Sequence, residues 1–381
     1  MNAFSGTQKF VILFAISYRA TEQATALPLY IDGNHYENNY ILRNWKNMTS
    51  KNTKKELTFI SKELCPWDLS KTPNYKNALS IPVISAADLN PQEFYRNYVA
   101  LNKPCLLQGA VKHWPAYKNW CSLEYLKRET ENPAMKARVA PASEYAHMAE
   151  KDIVPTLQQH NIDIFQELTF HEFLDRAHTK SEQLVLHSIP LLPGHALGEL
   201  CKDLSWYSFL TEWKGSRMYP RFRAFFYRNS YTDWHFHPTD EALMSQVVGS
   251  KEVLLLPPDS KTWDALYPPA TKTGYLYNVD TEKFPKIQAV MPYRVTVNAG
   301  DALYIPVYWW HAVASVDDHF GITVASTFKS PVHVNGDLRY PGARYIMRRF
   351  LFTRFAPMML TGVAYAYAHR LYNIFGKKRL A

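Results

Sequence analysis

The 381-residue chain carries 43 Lys/Arg against 34 Asp/Glu, a formal net charge of +9, and is 47% hydrophobic and 14% aromatic. That composition excludes a disordered, collagen-like or disulfide-dense chain and leaves a globular protein with a sizeable core. The length accommodates one large or two small domains, and no internal repeat or low-complexity tract divides it.

Residues 1–26 have the layout of an export signal. Lys9 precedes the apolar run Phe10–Ser17, and Ala24–Ala26 forms an Ala-x-Ala cleavage site. Such a run is too short to cross a bilayer, which takes about 20 apolar residues; the plainer alternative is an N-terminal strand. Asn47 and Thr49 form a glycosylation sequon in a polar stretch. Cys65, Cys105, Cys121 and Cys201 are even in number, as in a disulfide-bearing chain, although that count is also ordinary in the cytosol. The expected location is therefore the endoplasmic reticulum lumen or the outside of the cell if the signal operates, and the cytoplasm otherwise. No Cys-x-x-Cys pair points to a thiolate metal site or a redox motif.

Residues 27–78 are polar and without period, and read as an N-terminal extension. A strand is expected at Ile81–Ile84. A helix follows, opened by Asp88 and Pro91, with Phe94, Tyr98 and Leu101 at helical spacing. Cys105–Gln108 reads as a strand closed by Gly109, and Ser122 as the cap of a further helix. Phe165–Ala177 reads as helix and Gln183–Ile189 as strand.

From Arg221 the pattern becomes that of strands. An alternating run leads through Asn229 and Ser230 into Thr232–Glu241, which carries His235 and His237. Residues two apart on a strand share a face, so both imidazoles can serve one metal ion. Met244–Pro258 reads as strand, Gly249–Ser250 turn and strand, and residues 259–290 as a long rim loop. Val290–Val297 and Ala302–Ile305 are further strands. Gly300–His311 then supplies a turn glycine, an apolar strand, a proline turn and a third histidine, and Phe320–Phe328 closes the set. Two histidines on one strand and a third from a distant strand suit a jelly roll with a metal in its mouth. His-x-His alone recurs by chance, and a lone buried histidine is more often a hydrogen-bonded core residue. The pairing of the two patterns, each in its strand–turn context, favours the metal.

These segments resemble the JmjC and cupin-like hydroxylase superfamily, iron(II)- and 2-oxoglutarate-dependent oxygenases similar to the asparaginyl hydroxylase that inhibits hypoxia-inducible factor. The resemblance rests on Thr232, His235, His237–Pro238, Gly249–Lys251, Pro257–Pro258 and the run from Gly300–Asp301 through Pro306 and Trp309 to His311, with Ile81–Trp120 as the entry region. It implies a mainly β (α+β) fold: a double-stranded β-helix with flanking helices over residues 79–335. It also implies an iron(II) site at His235, His237 and His311, with Thr232 and Lys251 binding 2-oxoglutarate. The expected activity is hydroxylation or demethylation of a protein or peptide substrate. The chain departs from the family at His237, where relatives carry aspartate, and at Ala325 or Ser326, where they carry asparagine. Three neutral imidazoles leave a bound divalent ion with one more positive charge than a two-histidine, one-carboxylate face. Glu241 is a candidate fourth ligand that would restore the carboxylate. The alternative is an inactive or 2-oxoglutarate-independent metal-binding cupin acting as a binding module.

Residues 336–381 read as a basic helical extension broken at Pro357 and Gly362. From Arg339 onward nine Lys/Arg and no Asp/Glu account for the whole charge of +9. A helical extension that packs on the barrel or pairs two subunits as a homodimer is the first expectation, and peripheral contact with an anionic membrane the second. Nucleic acid is not expected as a partner, because the remainder balances to zero.

Overall fold

The computed structural model describes residues 69–139, 165–179, 183–211, 219–238, 240–266, 285–329, 332–353 and 356–376. The expected signal, the sequon and Cys65 lie outside them. The described residues fall within the compact unit Thr53–Ala381.

Six strands precede the barrel: β1 (Leu79–Ser80), β2 (Val83–Ser85), β3 (Cys105–Gln108), β4 (Ala134–Val139), β5 (Phe165–Thr169) and β6 (Leu184–Pro190). The barrel itself is β7 (Arg223–Arg228), β8 (Tyr231–His235), β9 (Asp240–Val248), β10 (Ser250–Leu256), β11 (Tyr293–Asn298), β12 (Ala302–Ile305), β13 (Trp310–Ser315) and β14 (Phe320–Lys329). A nine-stranded sheet runs β2-β3-β12-β9-β14-β7-β6-β4-β5, and a five-stranded sheet runs β1-β11-β10-β13-β8. From β7 to β14 the chain changes sheet at every connection except β10 to β11. That is the double wind of a jelly roll, and it confirms the expected mainly β core with flanking helices.

The pleat sorts side chains by period two. On β10, Val253 and Leu255 enter one apolar cluster with Met244, Leu303 and Val313, while Leu254 and Leu256 enter another with Trp234 and Trp310. The first cluster fills the space between the sheets; the second covers the outer face of the five-stranded sheet. On β14, Ile322 and Val324 face outward onto the aromatic cluster of Trp114, Trp120 and Tyr207, leaving Gly321, Thr323 and Ala325 inward. Each Val or Leu buried this way contributes about 1.5–3 kcal/mol.

Helices flank the sheets: α1 (Pro91–Phe94), α2 (Pro115–Asn119), α3 (Leu123–Glu129), α4 (Phe170–Thr179), α5 (Ser260–Leu266), α6 (Val332–Asn335), α7 (Pro341–Phe350) and α8 (Ala356–Gly376). Asn90, not Asp88, caps α1 through a reciprocal bond pair with Glu93, and the helix loosens into a π turn over Tyr95–Val99. Ser122 caps α3 by accepting from the Tyr125 N–H at 3.2 Å, as expected. The helix expected over Phe165–Ala177 is corrected: Phe165–Thr169 pairs with β4, and the helix starts at Phe170. The rim region contains α5. Pro357 lies in the first turn of α8, where no N–H is required. Gly362 does not break α8, because it packs on Gly336, where a Cβ would lie 2.0 Å from the Gly362 carbonyl oxygen. Among the described residues no helix is long and apolar enough to cross a membrane, and Cys105, Cys121 and Cys201 are free thiols.

Candidate metal centre

β13 lies between β10 and β8, and its register sets His311 directly opposite His235. A bulge follows, and Thr232 then stands opposite Val313. Since Val313 belongs to the interior cluster, Thr232 and the two histidines share the inner face. His237 lies just past the end of β8, and its carbonyl accepts from the Tyr308 N–H at 2.9 Å. That bond ties the end of β8 to the turn leading into β13. The ring centroids are 4.0 Å apart for His235 and His311, 4.8 Å for His237 and His311, and 5.4 Å for His235 and His237. One nitrogen from each ring lies within 4.8 Å of the others, the only such group of potential ligands among the described residues.

The donor set suits a metal ion. The Nδ1 of His311 is 3.0 Å from the Trp309 carbonyl. Its N–H donates there, leaving Nε2 as the lone pair. The Nδ1 of His237 is buried and makes no hydrogen bond, a state that costs about 1–3 kcal/mol unless something accepts its lone pair. Burial, reinforced by neighbouring His235, holds His237 and His311 well below the ordinary imidazole range, so both are neutral donors at physiological pH.

Glu241 does not join this group. It is fully buried on β9, and its Oε2 accepts from the Tyr304 hydroxyl at 2.9 Å and the Val307 N–H at 3.1 Å. It braces the proline turn that delivers His311. Among the described residues the gathered candidate ligands are three imidazoles without a carboxylate.

Lys251, Arg138, Arg223 and His187 act on one another electrostatically. Lys251 is 6% exposed, and its Nζ sits 3.9 Å from the centre of the Tyr227 ring. Burial, with a contribution from Arg138, lowers its ammonium to about 7. Arg138 donates to the Tyr231 carbonyl at 3.0 Å, and Arg223 to the Ser188 hydroxyl at 3.0 Å. His187 packs edge-on to Phe225 and is lowered to about 3, first by burial and then by Arg138, Arg223 and Lys251. Sequence reasoning missed Arg138, His187, Arg223 and Tyr227. The alternation of Arg223, Phe225 and Tyr227 on β7 was the signal that could have placed two of them inward. Ala325 pairs with Arg223 across β14 and β7. Trp309 donates its indole N–H to the Asn102 carbonyl at 2.9 Å and lies in the interior cluster, whereas Trp234 packs on the outer face.

A family model described as the Cupin-like domain matches residues 91–332, more than half of the chain. The chain belongs to the cupin-like JmjC family. This cupin-like chain is 25% identical over 268 residues to the Jumonji C domain-containing protein 5 of Drosophila melanogaster, covering 64% of its own length and 59% of that protein. It is 28% identical over 241 residues to the Lysine-specific demethylase JMJ30 of Arabidopsis thaliana, covering 60% and 51%. It is 27% identical over 261 residues to the human Bifunctional peptidase and (3S)-lysyl hydroxylase JMJD7, covering 62% and 80%. The chain thus spans little more than half the length of the first two.

Proposed function

We propose that this cupin-like chain is an iron(II)- and 2-oxoglutarate-dependent oxygenase that hydroxylates or demethylates a protein side chain. The observation that carries this reading is the joint placement, inside one barrel, of a three-imidazole group and a buried ammonium that has no carboxylate partner among the described residues. His235, His237 and His311 would hold the metal. Iron(II), when bound, supplies the redox chemistry that couples oxidative decarboxylation of 2-oxoglutarate to oxidation of a C–H bond.

The protein's own side chains carry the remaining tasks. Lys251 is buried at high cost to its charge, and an incoming carboxylate offsets that cost. The distal carboxylate of 2-oxoglutarate fits this role, with Thr232 on the same inner face as a hydroxyl donor. The apolar side chains of Met244, Val253 and Val313 exclude water between the sheets, which strengthens each ionic contact. Arg223 and Arg138 add positive potential, which favours a dianion.

The test is oxygen-dependent release of succinate from 2-oxoglutarate by the iron-loaded protein, lost in Lys251→Ala. Absence of turnover in the iron-loaded wild type, with 2-oxoglutarate and a peptide library supplied, would sink the reading. The three-imidazole composition favours a second reading, a metal-binding cupin that has left 2-oxoglutarate chemistry and serves as a binding module. Metal uptake without any 2-oxoglutarate binding would select it.

A further inference from the structure

The Lys251 ammonium lies on the face of one aromatic ring, and several residues fix that ring. The Tyr227 hydroxyl accepts from the Gln246 side-chain amide, whose oxygen in turn accepts from the Thr323 hydroxyl at 2.8 Å. Gly321 stands opposite Tyr227 on β14. A Cβ at Gly321 would lie 2.3 Å from the ring, so only glycine lets Tyr227 lie flat against that strand. Gly249, with φ of 78°, makes the tight turn that starts β10 and places Lys251 two residues later. The seat thus draws on β7, β9, β10 and β14 together.

We infer that Tyr227 is a positioning residue, its ring holding the Lys251 ammonium where the distal carboxylate of the co-substrate arrives. This rests on the co-substrate reading above. Cation–π contact is strongest where water is excluded, and Lys251 is buried. The charged and titratable groups acting on the pair are Arg138 from β4, His187 from β6 and, on the Tyr227 side, Asp317 from the turn before β14. Among the described residues no carboxylate pairs with Lys251. The ring is therefore the ammonium's partner until an anion enters.

The test is calorimetric titration of 2-oxoglutarate into the manganese(II)-loaded full chain, without turnover. Tyr227→Phe keeps the ring and is expected to bind within about twofold of wild type. Fluorinated phenylalanines at position 227 keep the shape but drain the π face. Affinity should fall stepwise with fluorine number, by about tenfold in all. Tyr227→Leu should also move the loss of affinity on raising pH to a lower pH, because the ammonium then gives up its proton more readily. Unchanged affinity across the fluorinated series, while Lys251→Ala loses binding, would overturn the seat and leave the co-substrate reading standing. Retained binding in Lys251→Ala would overturn that reading and the seat with it.

Discussion

Glu241 separates a metal ligand from a structural brace. Its Oε2 takes two hydrogen bonds, from the Tyr304 hydroxyl and the Val307 N–H, at a fully buried position. Glu241→Gln keeps an acceptor oxygen but removes the charge, and charge-assisted bonds exceed neutral ones by about 1 kcal/mol each. The expected loss is therefore ~2 kcal/mol. Glu241→Ala leaves both donors buried without an acceptor, at about 1–3 kcal/mol each, and opens a cavity, for a total of ~4 kcal/mol. At roughly 2–4 °C per kcal/mol for a domain of this size, the melting temperature should fall by about 10 °C or more. Denaturant unfolding of both variants reads the stability, and elemental analysis of the same folded preparations reads bound metal. The brace predicts a graded stability loss with metal content of folded Glu241→Gln unchanged. Metal lost from Glu241→Gln without loss of stability would refute it and make Glu241 a ligand.

His311→Ala should abolish metal uptake while the barrel stays folded, measured by cobalt(II) titration; wild-type affinity in that variant would exclude the triad. His237→Asp brings a carboxylate into the group, and succinate release in that variant alone would show that the wild-type site is retuned away from 2-oxoglutarate. His187 is held below its unfolded value, so its stabilising effect is present above about pH 6.5 and is lost as pH falls through its lowered range. Its share is at most ~1.4 kcal/mol per pH unit, and His187→Gln should flatten the acid limb of a denaturation series. On α8, Leu360, Tyr367 and Leu371 are exposed and follow a helical stripe. If two copies pair there, Leu360→Glu with Leu371→Glu should convert a dimer to a monomer in light scattering; a monomeric wild type would remove the expectation.

Much of the barrel was legible because its strands obey period two and its turns carry glycine. Gly249 and Gly300 both adopt positive φ, and the strands around them fall close to where alternation put them. The membership of the histidine group was legible, but its geometry was not. β8 ends at His235, so the expected shared strand face is corrected, and His237 is held by the turn after the strand through the Tyr308 N–H to its carbonyl. The start of α4 was missed although its signal was present. Thr169 and Glu172 exchange side-chain and backbone bonds as a capping box, which marks Thr169 as a cap and not an interior helical residue. The course of α8 through Gly362 depends on a close approach to Gly336 far from it in the chain, which no local pattern encodes. The seat beneath Lys251 is of the same kind, since a ring on β7 meets an ammonium on β10 only after the sheets have wound.

His235 and His311 are adjacent across β8 and β13 yet far apart along the polypeptide. An ion gripping both acts as a rivet between the early and late halves of the barrel, and a chain that has not completed its winding has no place for it. At a thousandfold excess over its dissociation constant such a rivet adds about 4 kcal/mol to the finished fold alone. If the proposed ion binds there, its occupancy is a measure of correct assembly, and starving cells of it should deplete the folded protein itself.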